Sequence, residues 1–183
     1  DAFDGFKMLQ ISDLHTGSFT STEPLKEAVD LINKQEADLV FFTGDLVNNV
    51  ASELIPHVDT LKGIRAKQGV FSVLGNHDYG DYVSWESREA KSQNLQTLID
   101  THGKMGWQIL LNENRRIEKD GEHIAVLGVE NWGNRAGFPK YGDLHKAYTG
   151  AENSPFKVLL SHDPSHWDGE INKNFPDIDL TLS

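Results

Sequence analysis

In the stretch "SVLGNHDYG", an amide, an imidazole and a carboxylate (Asn76, His77 and Asp78) stand in a row behind an apolar run that reads as a buried strand. The same grammar occurs three more times. "LQISDLH" breaks off into Asp13 and His15, "VFFTGDLVN" into Gly44, Asp45 and Asn48, and "KVLLSHDP" into His162 and Asp163. In open α/β sheets, ligands sit just beyond the carboxyl ends of the strands, so four such clusters should converge on one pocket. The collected set suits hard-to-borderline divalent cations, since imidazole and carboxylate are ligands of Zn, Mn and Fe(II) and an amide oxygen adds a neutral donor.

The spacing distributes roles. Asp13 and His15 stand two apart, so in an extended strand they face the same side and can share one metal. Asp45 is the natural bridging carboxylate. Two dications ~3.7 Å apart repel by roughly 18 kcal/mol at an effective dielectric of ~20, so an anion must sit between them. Asn76 and His162 fall to the second metal. His77 is then free to give a proton or hydrogen bond to a substrate's leaving oxygen, with Asp78 expected to orient and charge it. Asn48 is a candidate for contacting substrate or, the reading we favour, for supporting Asp45. Gly44 and Gly75 allow the backbone to turn sharply and come close to the metals.

Each cluster also has a bland reading. Asp13 and His15 alone could be a loop pair, Asp45 a helix cap, and Asn76 to Asp78 an Asx-type turn. In "HDPSH", His166 competes with His162, but Pro164 disfavours the helix that would pair them, and His162 directly ends its strand. His57, His102, His123 and His145 have no cluster around them and are expected at the surface or at caps. Trp85, Trp132, Trp167, Tyr79 and Tyr82 either line a substrate groove or pack against the core edge.

Strands and helices must deliver these side chains. "KMLQIS", "DLVFFTGD" and "GVFSVLGN" read as strands, separated by a helix over "STEPLKEAVDLINKQEA" and a second over "SELIPHVDTLKGI", despite Pro56. The first helix has Ser21 or Thr22 as N-cap and Pro24 near its first turn. A third helix, "SREAKSQNLQTLIDTHG", is expected to stop at Gly103. Asp120-Gly121 between two alternating runs predicts a hairpin. After a Gly- and Pro-containing loop come two more buried strands, "FKVLLSHDP" and "DIDLTLS". The alternation predicts an α/β fold of two sheets packed together and flanked by helices.

At 183 residues with 38% hydrophobic content, the chain suits a single domain. No apolar run approaches the ~20 residues that span a bilayer. The opening "DAFDGFKMLQ" lacks an initiating methionine and is expected to be cut from something longer, with an upstream membrane anchor. Seventeen basic against 28 acidic side chains give a net charge of −11, which repels polyanions, and there is no Lys/Arg-rich run. The absence of cysteine excludes disulfides and thiolate metal sites.

Taken together, D-x-H, G-D-x-x-N, G-N-H-D and a later strand-end His resemble the calcineurin-like metallophosphoesterases in order and separation, across nearly the whole chain. "FDGFKMLQISDLHTG" and "GNHDYG" further resemble a membrane-anchored subgroup that includes YkuE-like and UDP-diacylglucosamine pyrophosphatase-like proteins. The resemblance implies a four-layer αββα sandwich of two mixed sheets and two divalent metal ions, Mn, Fe or Zn. It implies Asp13, His15 and Asp45 on one metal, Asp45, Asn76 and His162 on the other, and His77 catalytic. The expected activity is hydrolysis of a small-molecule or lipid-linked phosphoester, a phosphodiester or pyrophosphate, by a metal-activated hydroxide. A nuclease and a non-catalytic metal- or phosphate-binding module are the alternatives. The family's G-H-x-H motif has no counterpart before the chain stops at "DIDLTLS". The C-terminal part is therefore expected to be truncated or disordered, and the chain without that motif to bind metal more weakly, at one site or none, and to be inactive.

Overall fold

A computed structural model describes residues 2–133 and 140–183. The alternation of short apolar runs with amphipathic segments produces two four-stranded sheets. The first holds β1 (Met8–Ile11), β2 (Leu39–Phe42), β3 (Val70–Ser72) and β4 (Trp107–Ile109) in that order, all parallel. The second holds β5 (Glu113–Lys119), β6 (Glu122–Gly128), β7 (Lys157–Leu160) and β8 (Leu180–Leu182), with β5 antiparallel to β6 and the rest parallel. Only the second sheet is mixed, contrary to the expectation of two.

Period-two alternation explains the layering. Leu39 and Phe41 of β2 point into the space between the sheets, where they meet Phe71, Val73, Ile124, Val126, Val158 and Leu160. Val40 and Phe42 point the other way, towards α1 (Glu23–Lys34), α2 (Val58–Leu61) and α3 (Arg88–Met105). On the far side, Ala125, Leu127 and Leu159 pack on α4 (Leu144–Tyr148) and on Ile171, Phe175 and Ile178. The result is helix, sheet, sheet, helix. Strands such as β2, with all four residues buried, therefore read as continuous apolar runs.

Several local expectations need correction. Pro56 prevents one continuous second helix: residues Ala51–His57 form a 3₁₀ stretch, and α2 is a single turn after it. Helix α3 runs through Gly103 and ends at Gly106, whose φ of 81° is the left-handed cap that glycine tolerates. Thr22 occupies the N-cap of α1, but its side chain makes no capping bond. Strand β4 is only three residues long behind Gly106 and carries too little pattern to be read. His57 is buried and stands at the N-cap of α2, one of the two places expected of it, whereas His102 is buried within α3, and burial pushes it down to about 4 although its Nδ1 donates to the Leu98 carbonyl. The hairpin turn at Asp120-Gly121 is present, with φ of 50° and 84°. The loop expected before Gly142 falls partly on residues 134–139, outside those described. Among the described residues no helix is long and apolar enough to cross a membrane.

Candidate metal centre

The parallel strands end at one rim, and their carboxyl-terminal loops meet there. Asp13 and His15 lie past the end of β1 in left-handed backbone, with φ of 54° and 45°, not in the extended strand that would turn both to one side. Asp45, past β2, has a φ of 60°. Such conformations cost a non-glycine residue about 1–2 kcal/mol each, and neighbouring structure must hold them. It does so by lacing the two loops together: Asp13 N–H donates to the Gly44 carbonyl, His15 N–H to that of Asp45, and Thr16 N–H to that of Leu46. Gly75 is demanded by close approach, since a Cβ there would lie 2.2 Å from Asp45 Oδ1. A Cβ on Gly44 would lie 2.5 Å from the Gly75 nitrogen and 2.8 Å from His162 Nδ1.

Asp45 stands at the middle. Its Oδ1 accepts the His77 amide at 2.9 Å, which fixes the carboxylate and turns Oδ2 outward. That single oxygen lies 3.5 Å from His15 Nε2 and 3.4 Å from His162 Nε2. His162 Nε2 is also 3.1 Å from Asn76 Oδ1, while its Nδ1 donates to the Thr43 carbonyl at 2.8 Å. The carbonyl can only accept, so a proton sits on Nδ1 and Nε2 is the nitrogen that faces the cluster, as in histidines that bind metal. Among the described residues, two triples of ligand atoms lie within 4.8 Å of one another: His15, Asp45 and His77, and Asp13, Asp45 and His162. Asp45 belongs to both. Asp13 Oδ1 is also 3.9 Å from His15 Nε2, so the expected pairing of these two on one ion is within reach.

The cluster is rich in acceptors and poor in donors. Asp13, Asp45 and Asn76 present oxygens, and the imidazoles present lone pairs. One remedy is to protonate His162. Burial opposes that charge, but the Asp45 carboxylate and the Thr43 carbonyl outweigh it and push His162 up to about 9. Burial likewise works against the charge on Asp45, and His162 and the His77 amide hold its carboxyl below the usual range. The other remedy is a divalent cation in the proton's place, and the donor set fits Mn, Fe or Zn.

Asp78 does not take the role expected of it. Its buried carboxylate accepts four backbone amides: Leu46 at 2.9 Å and Val47 at 3.2 Å on Oδ1, Asp45 and Gly75 at 2.9 Å each on Oδ2. Burial pushes it up to about 6, and these amides offset part of that effect. His77 is instead oriented by the carbonyl of Asn48, 2.6 Å from its Nδ1. Asn48 thus reaches the site through its backbone, and its side-chain amide donates to Ser18 Oγ at 2.9 Å. Glu53, which has no motif around it, holds this loop by accepting the amides of Asn48 and Asn49 at 2.6 and 3.1 Å.

His166 lies outside the cluster, bonded to Ser161 Oγ and Glu170 and stacked on Trp132. Of the five aromatic candidates, Tyr82 stacks on His77 with centroids 4.3 Å apart, whereas Tyr79 and Trp132 are buried. A pocket of about 270 Å³ opens beside Asn76 and His162, lined also by Tyr82, Asn131, Pro164 and Ser165. A larger groove of about 1010 Å³ with a mixed lining that includes Phe6, Met8, Glu122, His123, Phe156 and Leu180 lies at the opposite ends of the strands.

The chain is similar to known proteins along nearly its whole length. A family profile described as calcineurin-like phosphoesterase matches residues 6–182. The uncharacterized metallophosphoesterase YkuE of Bacillus subtilis is 37% identical over 168 residues, covering 88% of this chain and 52% of that protein. The UDP-2,3-diacylglucosamine pyrophosphatase LpxG of Chlamydia trachomatis is 39% identical over 199 residues, covering 87% and 57%. The chain thus spans little more than half the length of these two relatives. In fold, it matches the NAD nucleotidase of Haemophilus influenzae with a TM-score of 0.61 at 16% identity, over 96% of this chain and 37% of that one.

Proposed function

The chain belongs to the calcineurin-like phosphoesterase family, and from that premise we propose that it hydrolyses phosphate esters at two divalent cations that share Asp45. The observation that carries the proposal is the placement of one carboxylate oxygen, Asp45 Oδ2, between two imidazole nitrogens at 3.5 and 3.4 Å. Asp13 and His15 would complete one side, and Asn76 and His162 the other. Such a pair of cations supplies Lewis acidity towards the phosphoryl oxygens and a water acidic enough to attack at neutral pH.

The protein's own groups do the rest. The Asn48 carbonyl keeps a proton on His77 Nδ1, so Nε2 is the nitrogen that meets substrate, and a proton carried on Nε2 would pass to the leaving oxygen while the Nδ1 proton stays on the ring. Asp78 holds the amides of Asp45 and Gly75 and thereby the relative position of the β2 and β3 loops. The substrate class we favour is a phosphodiester or pyrophosphate-linked molecule, supported by the likeness to a UDP-2,3-diacylglucosamine pyrophosphatase. The acidic balance of the chain weighs against a nucleic acid.

The test is turnover of bis(p-nitrophenyl) phosphate with Mn²⁺ by the natural protein. His77→Ala should keep its metal and lose about 10²–10⁴-fold in kcat, the usual contribution of a general acid. Bound metal without turnover would identify a binding module, and an unchanged rate in the variant would remove His77 from the chemistry.

A further inference from the structure

The segment after the G-N-H-D turn is tied down more firmly than an exposed loop needs. Gly80 has a φ of 68°, and a Cβ there would lie 2.9 Å from Trp85 Cζ2. The Trp85 indole N–H donates to the Gly80 carbonyl at 2.7 Å, and Asp81 pairs with Lys91. Between these two anchors sits Tyr82, whose side chain is 45% exposed and so is not there to fill the core. Its hydroxyl oxygen accepts from Asn76 Nδ2 at 2.6 Å. Its ring lies on His77 at 4.3 Å with an interplanar angle of 26°.

We propose that Tyr82 is a positioning residue of the centre: its hydroxyl holds the Asn76 amide with Oδ1 towards His162, and its ring holds the plane of His77. The inference rests on the reading of the cluster as a metal centre. The two ends of a side-chain amide are nearly the same size and opposite in chemistry. Asn76 Oδ1 faces His162 Nε2 at 3.1 Å, and the oxygen of Tyr82 is the acceptor that takes the amide's other end. Without that acceptor, the amide is held from one side alone, and a turn of 180° would aim an NH₂ group at a bound cation. His77 is held at Nδ1 by Asn48 and edge-on by His15 at 4.8 Å, which leaves its face to Tyr82. Stacked aromatic pairs prefer such geometry and restrain both rings.

Two variants separate the two functions. Tyr82→Phe removes the hydroxyl and keeps the ring, and Tyr82→Leu removes both. By Mn²⁺ titration calorimetry on the full-length chain, both should bind one of two ions about tenfold more weakly, the effect of one lost hydrogen bond, with the other ion within about twofold. With bis(p-nitrophenyl) phosphate, saturating Mn²⁺ should recover most of the kcat of Tyr82→Phe. Tyr82→Leu should stay about tenfold low in kcat with KM within about twofold, because a misaligned His77 impairs proton transfer rather than binding. A general loss of folding would lower both variants alike. In metal-free protein, the side-chain amide resonances of Asn76 should shift and exchange faster with water in Tyr82→Phe. If the parent chain binds no Mn²⁺ or turns nothing over, the phosphoesterase reading fails and the amide resonances alone decide the role of Tyr82. Mn²⁺ affinities of both variants within twofold of the parent, or unchanged Asn76 resonances in Tyr82→Phe, overturn it.

Discussion

Replacing Asp78 by asparagine removes a charge that touches no substrate, yet it should be among the most damaging single-atom changes in the chain. The carboxylate accepts four backbone amides, two on each oxygen, and is fully buried. In Asp78→Asn one oxygen remains for one pair of amides, and an NH₂ group faces the other pair donor to donor. Two charge-assisted hydrogen bonds are lost at about 1.5–3 kcal/mol each, or roughly 3–6 kcal/mol together. That is a large part of the ~5–15 kcal/mol that holds an ordinary domain together. The assay is urea unfolding of metal-free protein at pH 8, where a carboxyl pushed up to about 6 is ionised. At roughly 2 kcal/mol per molar urea, the midpoint should fall by about 1.5–3 M. Asp143→Asn is the control, since Asp143 caps α4 with a single bond to the Lys146 amide and asparagine caps about as well. A midpoint for Asp78→Asn no lower than that of the control would refute the reasoning.

Three further outcomes follow from glycine and histidine positions. Gly75→Ala forces a Cβ to within 2.2 Å of Asp45 Oδ1 and should cost roughly 3 kcal/mol in a thermal melt and abolish Mn²⁺ binding. Gly103→Ala, in open space within α3, should instead stabilise by about 0.5–1 kcal/mol. His102, held down to about 4 by burial, stays neutral in the fold while the unfolded chain takes up a proton below about 6.5. Stability should therefore be intact above pH 6.5 and fall by about 3 kcal/mol as pH drops to 4, a slope that His102→Leu should flatten in denaturation curves at successive pH values.

The sequence carried the site further than it carried the elements behind it. Asp13, His15, Asp45, Asn76 and His162 could be picked out because each directly follows an apolar run, and parallel strands bring such ends to one rim whatever lies between them. The same logic could not place Asp78, since accepting the amides of Leu46 and Val47 depends on how two loops more than 30 residues apart pack. Glu53 and Thr43 serve the centre through one backbone-linked bond each or a pair of them, and nothing in their neighbourhood marks them out. Burial of His102 was hidden because α3 has only a weak apolar stripe, and its neighbour Trp107 lies on a strand too short to show a period. Propensity marks Gly103 as a helix stop, but only the backbone conformation says which of two glycines, Gly103 or Gly106, turns left-handed.

The most direct test of a shared Asp45 is anomalous scattering at the manganese edge from crystals of the natural protein soaked in Mn²⁺. Two peaks should flank Asp45 Oδ2, one in contact with His15 and the other with His162 and Asn76. A single ion, or manganese bound elsewhere with Asp45 touching none of it, would contradict the account.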